Sequence, residues 1–219
     1  MAKLKGNLFG NFSGKLGLTY GRMVNGINLG ANMPVKRGTK GATSSMKDNW
    51  VRFATLGKVA SAFLGAARLG LKDKAKQIGP LVTPFDAFVK LNAEAVSAIG
   101  GEVEIDFGSL VCAAGNMPQT AFGNASFAEP SRVSVSFQTS AEAPGTDALD
   151  KVYVAVYQPD TNQMLLSAPT PRTSGSVDMR LPGAWTGMTV HVYGFTLGDG
   201  NDNKGEVSDS SYIGTGNVG

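Results

Sequence analysis

The chain has 219 residues, 42% of them hydrophobic, with 20 Lys+Arg against 17 Asp+Glu and a formal net charge of +3. That is enough apolar material for a true core, which excludes a wholly disordered chain, and the length allows one or two domains. A single histidine, His191, and a single cysteine, Cys112, exclude a Cys/His zinc cluster and an intrachain disulfide.

The charge is unevenly placed. Residues 1–100 hold 15 bases and four acids, a net of +11, while residues 101–219 hold five bases and 13 acids, a net of −8. Such a split points to an anionic partner or to the pairing of unlike ends. The first residues are basic but lack the continuous apolar run of a secretory signal. No stretch approaches the ~18 apolar residues of a membrane span, so cytoplasmic synthesis is expected.

Residues 1–43 form a Gly-rich basic arm. Glycines alternate with apolar residues, Lys15, Arg22, Lys36, Arg37 and Lys40 are spread along it, and acids are absent. Residues 16–20 and 23–29 alternate apolar with small or polar residues around Asn25-Gly26, a turn pair that prefers positive φ. This predicts a short β-hairpin followed by an extended segment containing Pro34. So much glycine makes the arm a poor independent folder, one that orders against a core or a neighbouring subunit. Gly10-Asn-Phe-Ser-Gly14-Lys15 has the look of a phosphate loop. It is one residue short and lacks Ser or Thr after Lys15, so a turn is expected there.

Residues 44–101 read as a helical hairpin. Ser45 with Asp48 makes a capping-box pattern, and Met46, Trp50, Phe53, Leu56, Val59, Phe63, Leu64 and Ala67 then recur at helical spacing as one core stripe. Lys72, Lys74 and Lys76 mark a charged connector. Thr83-Pro84-Phe85-Asp86 starts a second helix, with Phe85, Phe88, Val89, Asn92, Ala95 and Val96 on its apolar face and Gly100-Gly101 at its end. Each helix has one apolar stripe, so the pair needs another surface to cover it.

Residues 102–219 show short alternating segments at 102–107, 132–138, 151–158, 163–167, 176–181, 188–196 and 206–213, separated by Pro, Asp, Asn and Gly turns. This spacing predicts an all-β sandwich of immunoglobulin or fibronectin type III character, with Trp185 filling its core. The fold class is therefore α+β.

No catalytic, cofactor-binding or metal-binding residues are nominated, and no cofactor is expected. Cys112 sits among apolar residues, as buried inert thiols do. His191 shares a strand face with Tyr193, opposite Val190 and Val192, with no Ser and Asp at triad spacing. Asp199, Asn201, Asp202, Asn203 and Glu206 form an oxygen-rich loop with ligand types that suit calcium. Its spacing departs from the EF-hand, and the same residues build ordinary turns. The functional candidates are the bases Lys15, Arg22, Lys36, Arg37, Lys40, Lys47, Arg52, Lys72, Lys74 and Lys76. They suit either phosphates or the acidic face of the next copy.

Gly10-Asn-Phe-Ser-Gly-Lys-Leu-Gly17, Tyr20-Gly21, Pro34 and Arg52-Phe53 resemble the start of a domain-of-unknown-function family of Bacteroidota and their phages and prophages. Asp150-Lys-Val-Tyr-Val-Ala-Val-Tyr157, Val190-His-Val-Tyr-Gly-Phe195 and Val207-Ser-Asp-Ser-Ser-Tyr-Ile-Gly214 extend the resemblance to most of the chain. Residues 38–43 depart from it, standing where that family has an Asn-Pro-containing polar segment. The resemblance implies this architecture and a bacterial or phage origin, and it implies no activity. The expectation is a non-enzymatic structural protein, a self-assembling or virion-type subunit forming homo-oligomers or meeting other structural subunits. The alternatives are a nucleic-acid-associated protein binding phosphates through its basic half, and a glycan-binding adhesion module using Trp185 or an exposed tyrosine.

Overall fold

A computed structural model describes residues 2–3, 14–24, 26–32, 41–139, 144–200 and 203–219. The arm forms a small antiparallel sheet of β1 (Ala2–Lys3), β2 (Gly14–Leu16), β3 (Thr19–Val24) and β4 (Ile27–Asn32), in the order β1-β4-β3-β2. The expected hairpin is β3–β4, turning at Gly26 with a φ of +76°. The alternation read through residues 16–20 is broken by a second turn, because Gly17 adopts a φ of +60° between β2 and β3. The Pro34 segment lies outside the described residues.

The helical region departs from a two-helix hairpin. Helix α1 (Ser44–Ala62) is capped by Thr43, whose side chain accepts from Met46 N, two residues before the expected Ser45 cap. Asp48 instead accepts a hydrogen bond from Gly101 N, at 3.0 Å. Helix α2 (Leu64–Gly70) follows after a break at Phe63, and the expected connector is itself a helix, α3 (Lys72–Ile78). Helix α4 (Pro84–Leu91) starts as its sequence dictates, with a complete Thr83–Asp86 capping box and Pro84 in the first turn.

Helix α4 stops after eight residues, well short of Gly100. The buried Asn92 explains the stop. Its side chain donates to the carbonyls of Phe88 and Val111 and accepts from Val111 N at 2.6 Å, tying the helix end to a distant segment. Ala95 and Val96 are buried, but outside any helix. Val96 begins β5 (Val96–Ile99), which pairs with β6 (Glu102–Ile105). Gly100 and Gly101, at φ +64° and +90°, are the hairpin turn and not a helix terminus. The turn of this hairpin falls at residues 100–101, where the sequence changes charge sign.

The remaining chain is a two-sheet sandwich. One sheet holds β7 (Phe122–Ser126), β8 (Arg132–Phe137) and β12 (Ser176–Arg180), in the order β12-β8-β7. The other is built of β9 (Lys151–Gln158), β10 (Gln163–Leu166), β11 (Thr170–Pro171), β13 (Thr189–Leu197) and β14 (Ser211–Asn217). Its order is β10-β9-β13-β14, with β11 pairing β9. Setting aside the two-residue β11, the first, second and fifth sandwich strands share one sheet, and the third, fourth, sixth and seventh share the other. That is the distribution of an immunoglobulin-type sandwich. Strands β7 and β11 have no counterpart among the expected segments, and β14 starts five residues into the segment expected at 206–213 and runs on to Asn217.

The second sheet is buried on both faces. Val152, Val154 and Val156 of β9 and Val190 and Val192 of β13 meet Val133, Val135, Val177 and Trp185 inside the sandwich. Tyr153, Ala155, Tyr157, Tyr193 and Phe195, on the opposite face, meet Leu56, Phe63, Ala67, Leu71 and Phe88 of the helical layer. Phe63 is the joint: its ring lies 5.3 Å from Phe88, 5.0 Å from Tyr157 and 5.4 Å from Tyr193. The surface that the helices needed is thus the outer face of the sandwich's own sheet. Gly70 permits a close approach to the 110–114 segment, since a Cβ there would lie 2.5 Å from Ala113 Cβ, and its carbonyl accepts from Ala114 N.

Candidate functional site

Each apolar position of α1 advances 100° around the helix, so its residues sort into two stripes. Leu56, Val59, Ala60 and Phe63 face the core. Met46, Trp50 and Phe53 lie roughly 90° away on the wheel, and all three are exposed, Phe53 at 59%. The expected single core stripe is therefore two stripes, one of them turned to solvent. The excess width of the apolar arc was the signal in the sequence.

Of the nine large apolar side chains exposed among the described residues, seven lie in the first 99 positions: Leu18, Tyr20, Met23, Met46, Trp50, Phe53 and Ile99. Leu18, at the β2–β3 turn, is 83% exposed and Ile99, on β5, is 81% exposed. Isolated exposed apolar residues are ordinary; their concentration outside a complete sandwich core is not.

The arm sheet adds charge. Lys15 of β2 lies directly opposite Tyr20 of β3, and Arg22 follows Tyr20 by two residues, so the three share one sheet face. All three are exposed. Lys36, Arg37 and Lys40 lie outside the described residues. Lys47 is exposed on α1. Arg52 is committed internally, its guanidinium donating to the Ala93 carbonyl. Lys72 is exposed on α3, Lys76 pairs with Asp73 at 2.7 Å, and Lys74 lines a small cleft with Gln77, Asn116 and Glu206. The seven described bases are spread over the arm sheet, α1 and α3, and two of them, Arg52 and Lys76, are engaged within the chain.

Acidic residues come close to this apolar surface along the chain. Ile99 pairs with Glu102 and Ser97 with Glu104 across the β5–β6 hairpin, placing all four on its outer, exposed face. Val96 is buried on the inner face, where Val103 and Ile105 also pack against the helical core.

His191, Cys112, Asp199 and Asn203 each have structural partners. The His191 ring stacks on Phe107 at 4.0 Å and its Nδ1 lies 2.9 Å from Tyr212 Oη. Burial lowers its pKa. The Cys112 thiol is fully buried, and desolvation pushes its pKa up to about 12, against the weaker opposing effect of the Ser210 hydroxyl. Asp199 pairs with Lys151 at 2.8 Å. Asn203 is buried, donating to Asp150 and to the Gly145 carbonyl. Asp150 also meets the buried Arg172 at 3.4 Å, an ion pair that ties the loops at this end of the sandwich. Among the described residues, no three His, Cys, Asp or Glu side chains are grouped to hold a metal. Trp185, 1% exposed, fills the sandwich core and offers no platform to a sugar ring.

The layers define an α/β/β protein: an immunoglobulin-type sandwich with helices over one sheet and a small separate sheet from the N-terminal arm. The chain belongs to DUF6266, a family of unknown function, whose model matches residues 11–214. No protein of curated function matches the sequence. Among the described residues, no helix is long and apolar enough to cross a membrane.

Proposed function

We propose that this protein is a non-enzymatic structural subunit that assembles with copies of itself, in the manner of a virion or other particle component. The observation behind this reading is the concentration of exposed apolar side chains on the arm sheet, α1 and the β5–β6 hairpin, beside a body whose cores are complete without them. Such a surface in a folded protein gains stability when a partner covers it. The opposite charges carried by one chain favour contact between unlike surfaces, which builds rings or filaments and not closed twofold pairs.

Sedimentation velocity across a concentration series, at low and high salt, tests the reading. The wild-type chain is expected to form species larger than a monomer. Trp50→Asp with Phe53→Asp shifts it toward monomer while circular dichroism is unchanged. A monomer at every concentration and salt overturns the proposal.

A second reading rests on the shared face of Lys15, Tyr20 and Arg22, where cations and a ring together suit a phosphate backbone and a stacked base. An electrophoretic shift of DNA or RNA at low salt that weakens steeply as salt is added supports it. No shift with either removes it.

A further inference from the structure

We propose that the outer face of the β5–β6 hairpin is the seat on one copy for the arm sheet of a second copy. This inference rests on the assembly reading and adds to it the two surfaces that meet. The hairpin is a two-stranded sheet of its own, and no further strand pairs with it among the described residues. Its outer face offers Ile99, 81% exposed, beside the carboxylates of Glu102 and Glu104. Neither glutamate has an ion-pair partner among the described residues.

The arm sheet carries the complement. Lys15, Tyr20 and Arg22 share one face, and Leu18 projects from the adjoining turn. Lys15 and Arg22 also have no ion-pair partner among the described residues. Two cations beside apolar side chains thus match two carboxylates beside Ile99, and burial of the apolar groups would strengthen both charge contacts by excluding water. The seat is preformed. The inner face of the hairpin is packed on the helical core, and Gly101 N is held by Asp48 of α1. Docking there orders only the incoming arm, which lowers its entropic cost.

The two surfaces differ, so each copy can offer its arm to one neighbour and its hairpin to another. Such a contact is heterologous and propagates.

Cysteine pairing between two chains tests this. Leu18→Cys is placed in one chain and Ile99→Cys in another, and the two are mixed with diamide. Native Cys112 is silent because its thiol is buried. A covalent heterodimer is expected, and high salt should suppress it. Glu102→Lys with Glu104→Lys in the Ile99→Cys chain should reduce its yield about tenfold. Adding Lys15→Glu with Arg22→Glu to the Leu18→Cys chain should restore it. All four charges are exposed, so unchanged circular dichroism is expected of each variant.

If the wild-type chain assembles but no crosslink forms and charge reversal leaves sedimentation unchanged, this contact is wrong and assembly stands. If the chain never assembles, both fall. Crosslinking only within one chain carrying both cysteines would also overturn it.

Discussion

Strands β9 and β3 both lie inside antiparallel sheets, yet they have opposite surroundings. Strand β9 alternates Val152, Val154 and Val156 with Tyr153, Ala155 and Tyr157, and both sets are buried, one in each core. Strand β3, Thr19-Tyr-Gly-Arg-Met-Val24, leaves Tyr20, Arg22 and Met23 exposed. In the first case the neighbouring layers exist within the chain. In the second, no described side chain of the arm sheet belongs to either large core. Among the described arm residues, Leu29 is the one buried large apolar side chain, with the polar Asn28 buried beside it in sequence. A small sheet with so little burial has little to offset its backbone entropy.

The contrast can be broken at the joint that makes the body one unit. Phe63→Ala removes a ring that touches both helix α4 and the sheet. A loss of about 3–5 kcal/mol is expected by urea denaturation, because the site cannot fully collapse. If helices and sandwich cooperate, fluorescence and circular dichroism will still report one transition; two would show that the layers melt separately.

Asn92→Leu should come next, near 2 kcal/mol. It removes the partners of Val111 N and O at the point where α4 is fastened to the following chain. Thermal melts of the variant and wild type, compared for midpoint and slope, provide the measurement.

Gly26→Ala probes the other side of the comparison. Gly26 holds a positive φ with open space around its Cβ position, so the strain is conformational and local, about 1 kcal/mol. The global midpoint of the body should barely move, while proteolysis of the arm should quicken. A large fall in the body's stability would show that the arm belongs to the main core.

The smallest effect expected is a pH dependence from His191. Burial lowers its folded pKa, so folding favours the neutral ring. Its contribution is present above the unfolded value of about 6.5 and lost as pH falls through the folded one. Midpoints measured between pH 8 and 5 should fall less for His191→Gln than for the wild type. Equal slopes would locate the dependence elsewhere.

Local chemistry was legible wherever it decides structure alone. The Thr83-Pro84-Phe85-Asp86 start of α4, the turn at Gly26 and the alternation in β9 all stand as written in the sequence. The end of α4 was not legible. Gly100-Gly101 suits a helix stop and a hairpin turn equally, and the choice fell to Asn92, whose partner lies 19 residues away. The charged 72–76 segment was likewise ambiguous, since it forms a short helix only with Ala75 buried against the core. Of the candidate surface, the bases were visible by composition. Their dispersal over three elements, and the turning outward of Met46, Trp50 and Phe53, were not.

The sequence by itself determined an α+β chain, a β-rich second half with a tryptophan in its core, and a basic first half with a Gly-rich hairpin. Tertiary structure alone decided that the helices cover the sandwich's own sheet, and that the boundary between basic and acidic halves runs through the β5–β6 hairpin. The physical reason is that periodicity records that a face is apolar, but not what covers it. Charge sums record sign along the chain, while pairing depends on which strands and helices meet across it.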